Sequence, residues 1–231
     1  MEKEYIKISK PSPLPYNTHL LRNLDDEFWK NHIFYHLLSF YAHYDKTKLK
    51  EIIDLEQSKN NSRTERVIAK QIRKYLNNNQ EFSLNFKAFG ENTNDEDVEG
   101  NYDITIDNTY WQVSFHFECK NLDISQDLVN KYVCYNTGHS IFDGGVYRYF
   151  NKKYAQNQNF GGMLGFVLQG DVQTIKNKII EKMKLPFNIS PEGDFLNIEE
   201  NAIVGNDFTF NSTHKRKIGE FMLHHLLFKF E

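Results

Sequence analysis

Gly100-Asn101-Tyr102-Asp103-Ile104 and Val113-Ser114-Phe115-His116-Phe117-Glu118-Cys119-Lys120 are the two stretches on which the reading of this chain turns. In the second, Val113, Phe115, Phe117 and Cys119 fall on one face of a strand. Ser114, His116, Glu118 and Lys120 fall on the other, because successive side chains alternate. The continuous aromatic face predicts a central strand covered on both sides, where charges seldom point inward without a task. Glu118 and Lys120 then stand about 7 Å apart along one face. Tyr102 to Ile106 alternates in the same way, and Asp107-Asn108 is a hairpin-type turn leading into a strand from Trp111 to Lys120. With the two strands paired, Asp103 approaches the same spot as Glu118. The bland alternative is a solvent-facing strand whose Glu118 and Lys120 form a surface ion pair.

Upstream of this pair, Pro11, Pro13 and Pro15 keep residues 1–20 extended. Leu24 to Leu55 is helical, as two helices broken near Tyr44-Asp45. A further helix runs from Arg63 to Leu76 and is ended by Asn77-Asn78-Asn79, and Phe82 to Phe86 alternates like a strand. Downstream, helices are expected over Gln126–Tyr135 and Val146–Ala155, and a buried strand over Gly162–Leu168. Asp171 caps a helix from Val172 to Met183, and strands follow near Ala202–Phe210 and Glu220–Phe230. This order predicts an α/β domain with a mixed sheet. Its N-terminal arm and helices (1–60) pack on an α/β core (61–231) within one domain.

Carboxylates at 103 and 118 make a hard-oxygen pair suited to Mg²⁺, and a neighbouring ammonium can orient a water or stabilise charge on a scissile phosphate. Those are parts for phosphodiester hydrolysis. With Asp103 and Glu118-Cys119-Lys120 in it, the element order over roughly Ser62 to Met183 resembles the PD-(D/E)xK, or restriction-endonuclease-like, nuclease superfamily. Tyr102 stands where the name-giving Pro would be, a position that varies in such nucleases. The resemblance implies a restriction-endonuclease-like core of central mixed sheet and flanking helices. It implies a nuclease using Mg²⁺ (or Mn²⁺) on DNA, in restriction, phage defence or repair. Asp103 and Glu118 would be the metal-binding carboxylates and Lys120 the residue that positions the attacking water. A homodimer is a further expectation, from the way similar nucleases cut two strands. The competing reading is a non-catalytic module that keeps the fold to bind nucleic acid or a partner protein.

Glu65 lies within about 60° of Ile68, Ala69, Ile72 and Leu76 on a helical wheel, so it sits in the apolar stripe that faces the sheet. The same resemblance makes it an extra metal-site acid, whereas Ser62-Arg63-Thr64-Glu65 is also a capping box. Both roles stay open. Arg66, Lys70, Arg73 and Lys74 cluster on the other side of that helix, as a phosphate-contacting ridge or a solvated face. Arg148 and Lys152 interleave with aromatics in a segment suited to backbone contact and base stacking. His214 and Arg216 share one strand face with Ser212, as a phosphate-binding edge or as plain turn chemistry.

The 231 residues hold Lys+Arg 28 and Asp+Glu 31, a net charge of −3, which by itself disfavours an indiscriminate nucleic-acid binder. The charge is uneven, however: residues 46–74 hold nine Lys/Arg against four Asp/Glu, and residues 91–107 hold seven acids and no base. Two cysteines exclude a disulfide framework. The charged Met1-Glu2-Lys3-Glu4 start lacks a secretory apolar stretch, and no apolar run spans a bilayer, so a cytoplasmic protein with no membrane partner is expected. His32 and His36 lack the Glu of H-E-x-x-H and read as structural. His116 shares the Glu118 face, in a hydrogen-bonded structural or proton-transfer role.

Overall fold

Short acceptor side chains open most of the helices. Asp25 accepts the Phe28 N–H at 2.8 Å ahead of α2 (Asp26–His43), and Asp45 accepts the Lys48 N–H at 3.0 Å ahead of α3 (Lys46–Gln57). These follow a one-turn helix, α1 (Thr18–Leu21), and precede α4 (Thr64–Asn78) and the short α5 (Gln80–Ser83). Ser125 and Asp171 play the same capping part for α6 (Gln126–Val133) and α7 (Val172–Met183). These positions come from a computed structural model that describes residues 6–15, 17–60, 62–90, 103–136, 141–142, 144–150, 154–155, 157–184, 194–203, 205–216 and 219–230. Among the described residues no helix is long and apolar enough to cross a membrane.

The strands are β1 (Phe86–Phe89), β2 (Ile104–Asn108), β3 (Phe115–Leu122), β4 (Tyr135–Asn136), β5 (Ile141–Phe142), β6 (Phe160–Val167), β7 (Asp194–Glu200), β8 (Thr209–Arg216) and β9 (Gly219–Lys229). Seven of them form one mixed sheet in the order β1-β2-β3-β6-β9-β8-β7, and β4 and β5 pair separately. β1, β2 and β3 are antiparallel neighbours, β3–β6 and β6–β9 are parallel, and β8 and β7 return antiparallel. The parallel step from β3 to β6 needs a crossover, which α6 supplies. β6 is apolar throughout and buried at every residue, as befits the middle of such a sheet. Its glycines let aromatic rings lie on the backbone: a Cβ at Gly162 would stand 2.2 Å from the Phe117 ring, and one at Gly161 2.4 Å from Tyr149.

The expected break at Tyr44-Asp45, the helix over 172–183 and the central position of the Glu118 strand all hold in the structure. Four expectations need correction. Phe82 to Phe86 is not a strand: Asn79 caps α5 by accepting the Phe82 N–H, and β1 begins only at Phe86. Phe82 and Phe86 are buried while Leu84 is 74% exposed, so the repeat is one helical turn rather than an alternation. Val146 to Ala155 is not a long helix: the described part has a single 3₁₀ turn, Tyr147–Tyr149, and Ala155 has φ +49°, outside the helical region. Ala202–Ile203 and Gly205–Phe208 are turn rather than strand, with Asn201 and Gly205 at positive φ, so β8 starts at Thr209. The strand after Asn108 also starts later than expected, at Phe115, because Asn108 Oδ1 accepts the N–H groups of Tyr110 and Trp111 and holds a loop there.

Candidate active site

Pairing of β2 with β3 puts Ile104 opposite Phe117 and Thr105 opposite His116, so Asp103, just ahead of β2, lies across from Glu118. Asp103 Oδ2 accepts the Cys119 backbone N–H at 2.7 Å, which ties it to β3 between Glu118 and Lys120. α4 delivers Glu65 from its first turn. The 3₁₀ turn and the residues after it deliver Arg148 and Tyr154.

Glu118 is the hub and is 1% exposed. Its Oε1 accepts from Lys120 Nζ at 2.5 Å and from Arg148 Nη1 at 3.0 Å, and its Oε2 accepts from the Tyr154 hydroxyl at 2.9 Å. Arg148 Nη1 also donates to the Tyr154 oxygen at 3.0 Å. Lys120 Nζ stands 3.6 Å from Glu65 Oε2 and donates to the Cys119 carbonyl at 3.1 Å. One ammonium therefore sits in a nest of carboxylates. Charge-assisted contacts of this length are among the stronger hydrogen bonds, and a carboxylate buried this deeply requires them.

The electrostatics follow from that packing. Burial disfavours the charged form of Asp103, the Glu118 charge adds to the effect, and together they push its carboxyl up to about 7 despite Lys120 and the Cys119 N–H. Glu65 is also raised, first by burial, with Lys120 opposing and Glu118 reinforcing. Burial works against the Lys120 ammonium, but Glu118, Glu65 and Asp103 outweigh it and keep it charged. The Tyr154 phenol is pushed up by burial and by Glu118, so it remains a proton donor.

Asp103, Glu118, Lys120 and Glu65, expected together from the sequence, are brought together here. The capping box is not formed: the residue ahead of α4 is Arg63, with no side-chain cap, and Ser62 Oγ bonds Thr64 Oγ1 at 2.7 Å instead. Glu65 is left to turn toward Lys120. Arg66 and Lys70 are exposed on the same helix, and Arg73 Nη1 donates to the Asp103 carbonyl. Arg148, expected as a backbone-contacting residue, is instead engaged with Glu118. Lys152 lies outside the described residues.

His214 and Arg216 do not form a phosphate-binding edge. His214 is fully buried, bonds Ser212 Oγ at 2.8 Å, and burial pushes its imidazole down to about 3, which leaves it uncharged. Arg216 is 9% exposed, donates to the Ala155 carbonyl at 3.0 Å and lies 4.5 Å from the Phe221 ring centroid, so its charge braces a loop. His116 bonds Thr105 Oγ1 at 3.1 Å across the β2–β3 pair. Sequence reasoning missed Tyr154 and the anchoring N–H of Cys119. Tyr154 follows a 3₁₀ turn and joins the cluster from outside any regular period, so only its place in a run of basic and aromatic residues marked it.

Among the described residues no three His, Cys, Asp or Glu side chains form a ready-made metal cage. Mg²⁺ does not require one, because it is usually held by one or two carboxylates, with water and substrate phosphate oxygens completing its shell. Asp103 and Glu118 supply hard oxygens only, and the Lys120 ammonium shows that the nest stabilises positive charge. The donor set fits Mg²⁺ or Mn²⁺. No protein-family model, curated protein or solved structure matches the chain.

Proposed function

We propose that this protein is a Mg²⁺-dependent nuclease that hydrolyses phosphodiester bonds in DNA, on a restriction-endonuclease-like core formed by α4, β1, β2, β3, α6 and β6. The observation that carries the reading is the convergence of Asp103, Glu118 and Glu65 on the Lys120 ammonium, where the start of β2 meets the middle of β3. Asp103 and Glu118, with Glu65 at hand, would hold a divalent ion, which would supply charge neutralisation on the scissile phosphate. Lys120 orients the water for in-line attack and stabilises the charge that develops. Arg66 and Lys70 on the exposed face of α4 contact the DNA backbone. Asp103 must shed its proton before it serves as a ligand.

The test is cleavage of plasmid and single-stranded DNA with Mg²⁺ or Mn²⁺. Wild type cuts, and Glu118→Gln and Lys120→Ala each lose about 100-fold or more, the loss expected for removing a group that meets developing charge. Cleavage that survives both substitutions refutes the site. One observation favours a second reading, a non-catalytic DNA- or protein-binding module: Lys120 and Arg148 already neutralise Glu118. Calorimetry that shows DNA binding with no divalent-ion uptake would establish it.

A further inference from the structure

We propose that Arg148 and Tyr154 act on the Glu118 carboxylate in opposite senses: Arg148 is a resident counter-cation that must release Glu118 before a divalent ion is held there, and Tyr154 is the neutral anchor that keeps the carboxylate aimed. The proposal rests on reading Asp103 and Glu118 as cation ligands. A carboxylate has about four acceptor positions. Two cationic donors share Oε1, Lys120 at 2.5 Å and Arg148 at 3.0 Å, and the Tyr154 hydroxyl holds Oε2. A divalent ion held by Glu118 would meet both positive charges, and in a buried site their repulsion is weakly screened.

Of the two, Lys120 is the poorer candidate to leave. It rises from β3 beside Glu118, its side chain is 18% exposed, and Glu65 and Asp103 hold it as well. Arg148 is 25% exposed and sits on a 3₁₀ turn. Its guanidinium carbon is 5.7 Å from the Tyr154 ring centroid, so it can leave the carboxylate and keep a cation–π contact. Once released beside the site, the guanidinium is suited to a phosphate, which it can grip through two parallel N–H donors. Tyr154 is fully buried, packs its ring against Tyr149 and carries no charge to oppose an incoming ion.

The two side chains therefore have opposite signatures in cation uptake, read without any DNA cleavage. Mn²⁺ titration by calorimetry on the full chain is expected to show Arg148→Gln binding about tenfold tighter than wild type, since a like charge is removed. Tyr154→Phe is expected to bind several-fold weaker, since one anchor of Glu118 is lost. Arg148→Lys, which keeps the charge, is expected to stay within about twofold of wild type, and the neutral Arg148→Met, expected to bind about tenfold tighter, serves if the Gln variant fails to fold. Equal affinities in all of these proteins, or weaker binding in the neutral Arg148 variant, overturn the opposed roles while leaving the cation site standing. No Mn²⁺ uptake by the wild-type chain overturns this proposal and the nuclease reading together.

Discussion

Asp103 holds the most consequential proton in the molecule. Its carboxyl is raised from 3.8 to about 7. At pH below 4 it is protonated in both the folded and the unfolded chain and adds nothing to the balance. As pH rises from 4 to 7 the unfolded chain loses the proton and the folded chain keeps it, so folding is progressively disfavoured, and the penalty is complete above 7. Asp103→Asn removes that penalty and retains an oxygen for the Cys119 N–H. It should raise stability at pH 8 by on the order of 1 kcal/mol, partial exposure discounting the full shift, and the gain should vanish by pH 4. Melting curves across that range check the sign. In the proposed cation site the same proton would compete with a divalent ion, so Mn²⁺ affinity should weaken about tenfold per pH unit below 7 and level off above it. A calorimetric series that is flat between pH 6 and 8 would remove Asp103 from the cation site. Strand alternation was enough to put Asp103 across from Glu118. The same alternation put Lys120 beside Glu118, but the Cys119 anchor is a backbone donor and Arg148 and Tyr154 reach Glu118 from far downstream, which no spacing rule encodes.

Regular elements were legible where one period ran unbroken. α7 announces itself through Asp171 and its buried Ile175, Ile179 and Ile180, and β3 through its alternating aromatics. Reading failed where two periods coincide over a few residues, as at Phe82 and Phe86, or where backbone conformation decides, as at Asn201, Gly205 and Ala155. Two substitutions test the elements. Gly162→Ala places a methyl 2.2 Å from the Phe117 ring, inside a strand with no room to move, and should cost about 2 kcal/mol in denaturant titration. A wild-type midpoint would show that β3 and β6 are less tightly apposed than the structure has them. Asp171→Ala removes acceptors of the Thr174 N–H and hydroxyl, both within 2.8 Å, and should cost about 1 kcal/mol at neutral pH. Those bonds hold the Asp171 carboxyl below 3.8, so its contribution is present above that pH and fades as pH falls through the lowered value. The wild-type and Asp171→Ala stabilities should therefore converge in acid.

At the scale of the whole molecule, the helices of residues 1–60 read from sequence as an extension packed on a core, yet they supply one of its walls. The α2 pattern is apolar on most sides, which hides the direction of packing from any period-based reading. In the structure Trp29 lies 5.7 Å from the Phe86 ring, Phe34 lies 5.7 Å from Phe115 and 4.9 Å from His224, and Tyr41 stacks on Phe228 at 4.5 Å. These partners belong to β1, β3 and β9, so α2 spans the sheet from near its β1 edge to β9, beyond the centre. Trp29, Ile33, Phe34, Leu37, Leu38 and Tyr41 are all buried, and each contributes roughly 1.5–3 kcal/mol by leaving water. Their sum, roughly 10 kcal/mol or more, rivals the net stability of about 5–15 kcal/mol that a domain has in total. A chain of residues 61–231 keeps Asp103, Glu118 and Lys120 but leaves Phe86, Phe115, His224 and Phe228 facing solvent. It should show no cooperative melt and no near-ultraviolet circular dichroism, and should bind no Mn²⁺, because the sheet that brings Asp103 to Glu118 would have lost the cover on one face. A cooperative transition in that fragment would mean that the sheet is stable with one face bare, and that the N-terminal helices are a separable layer.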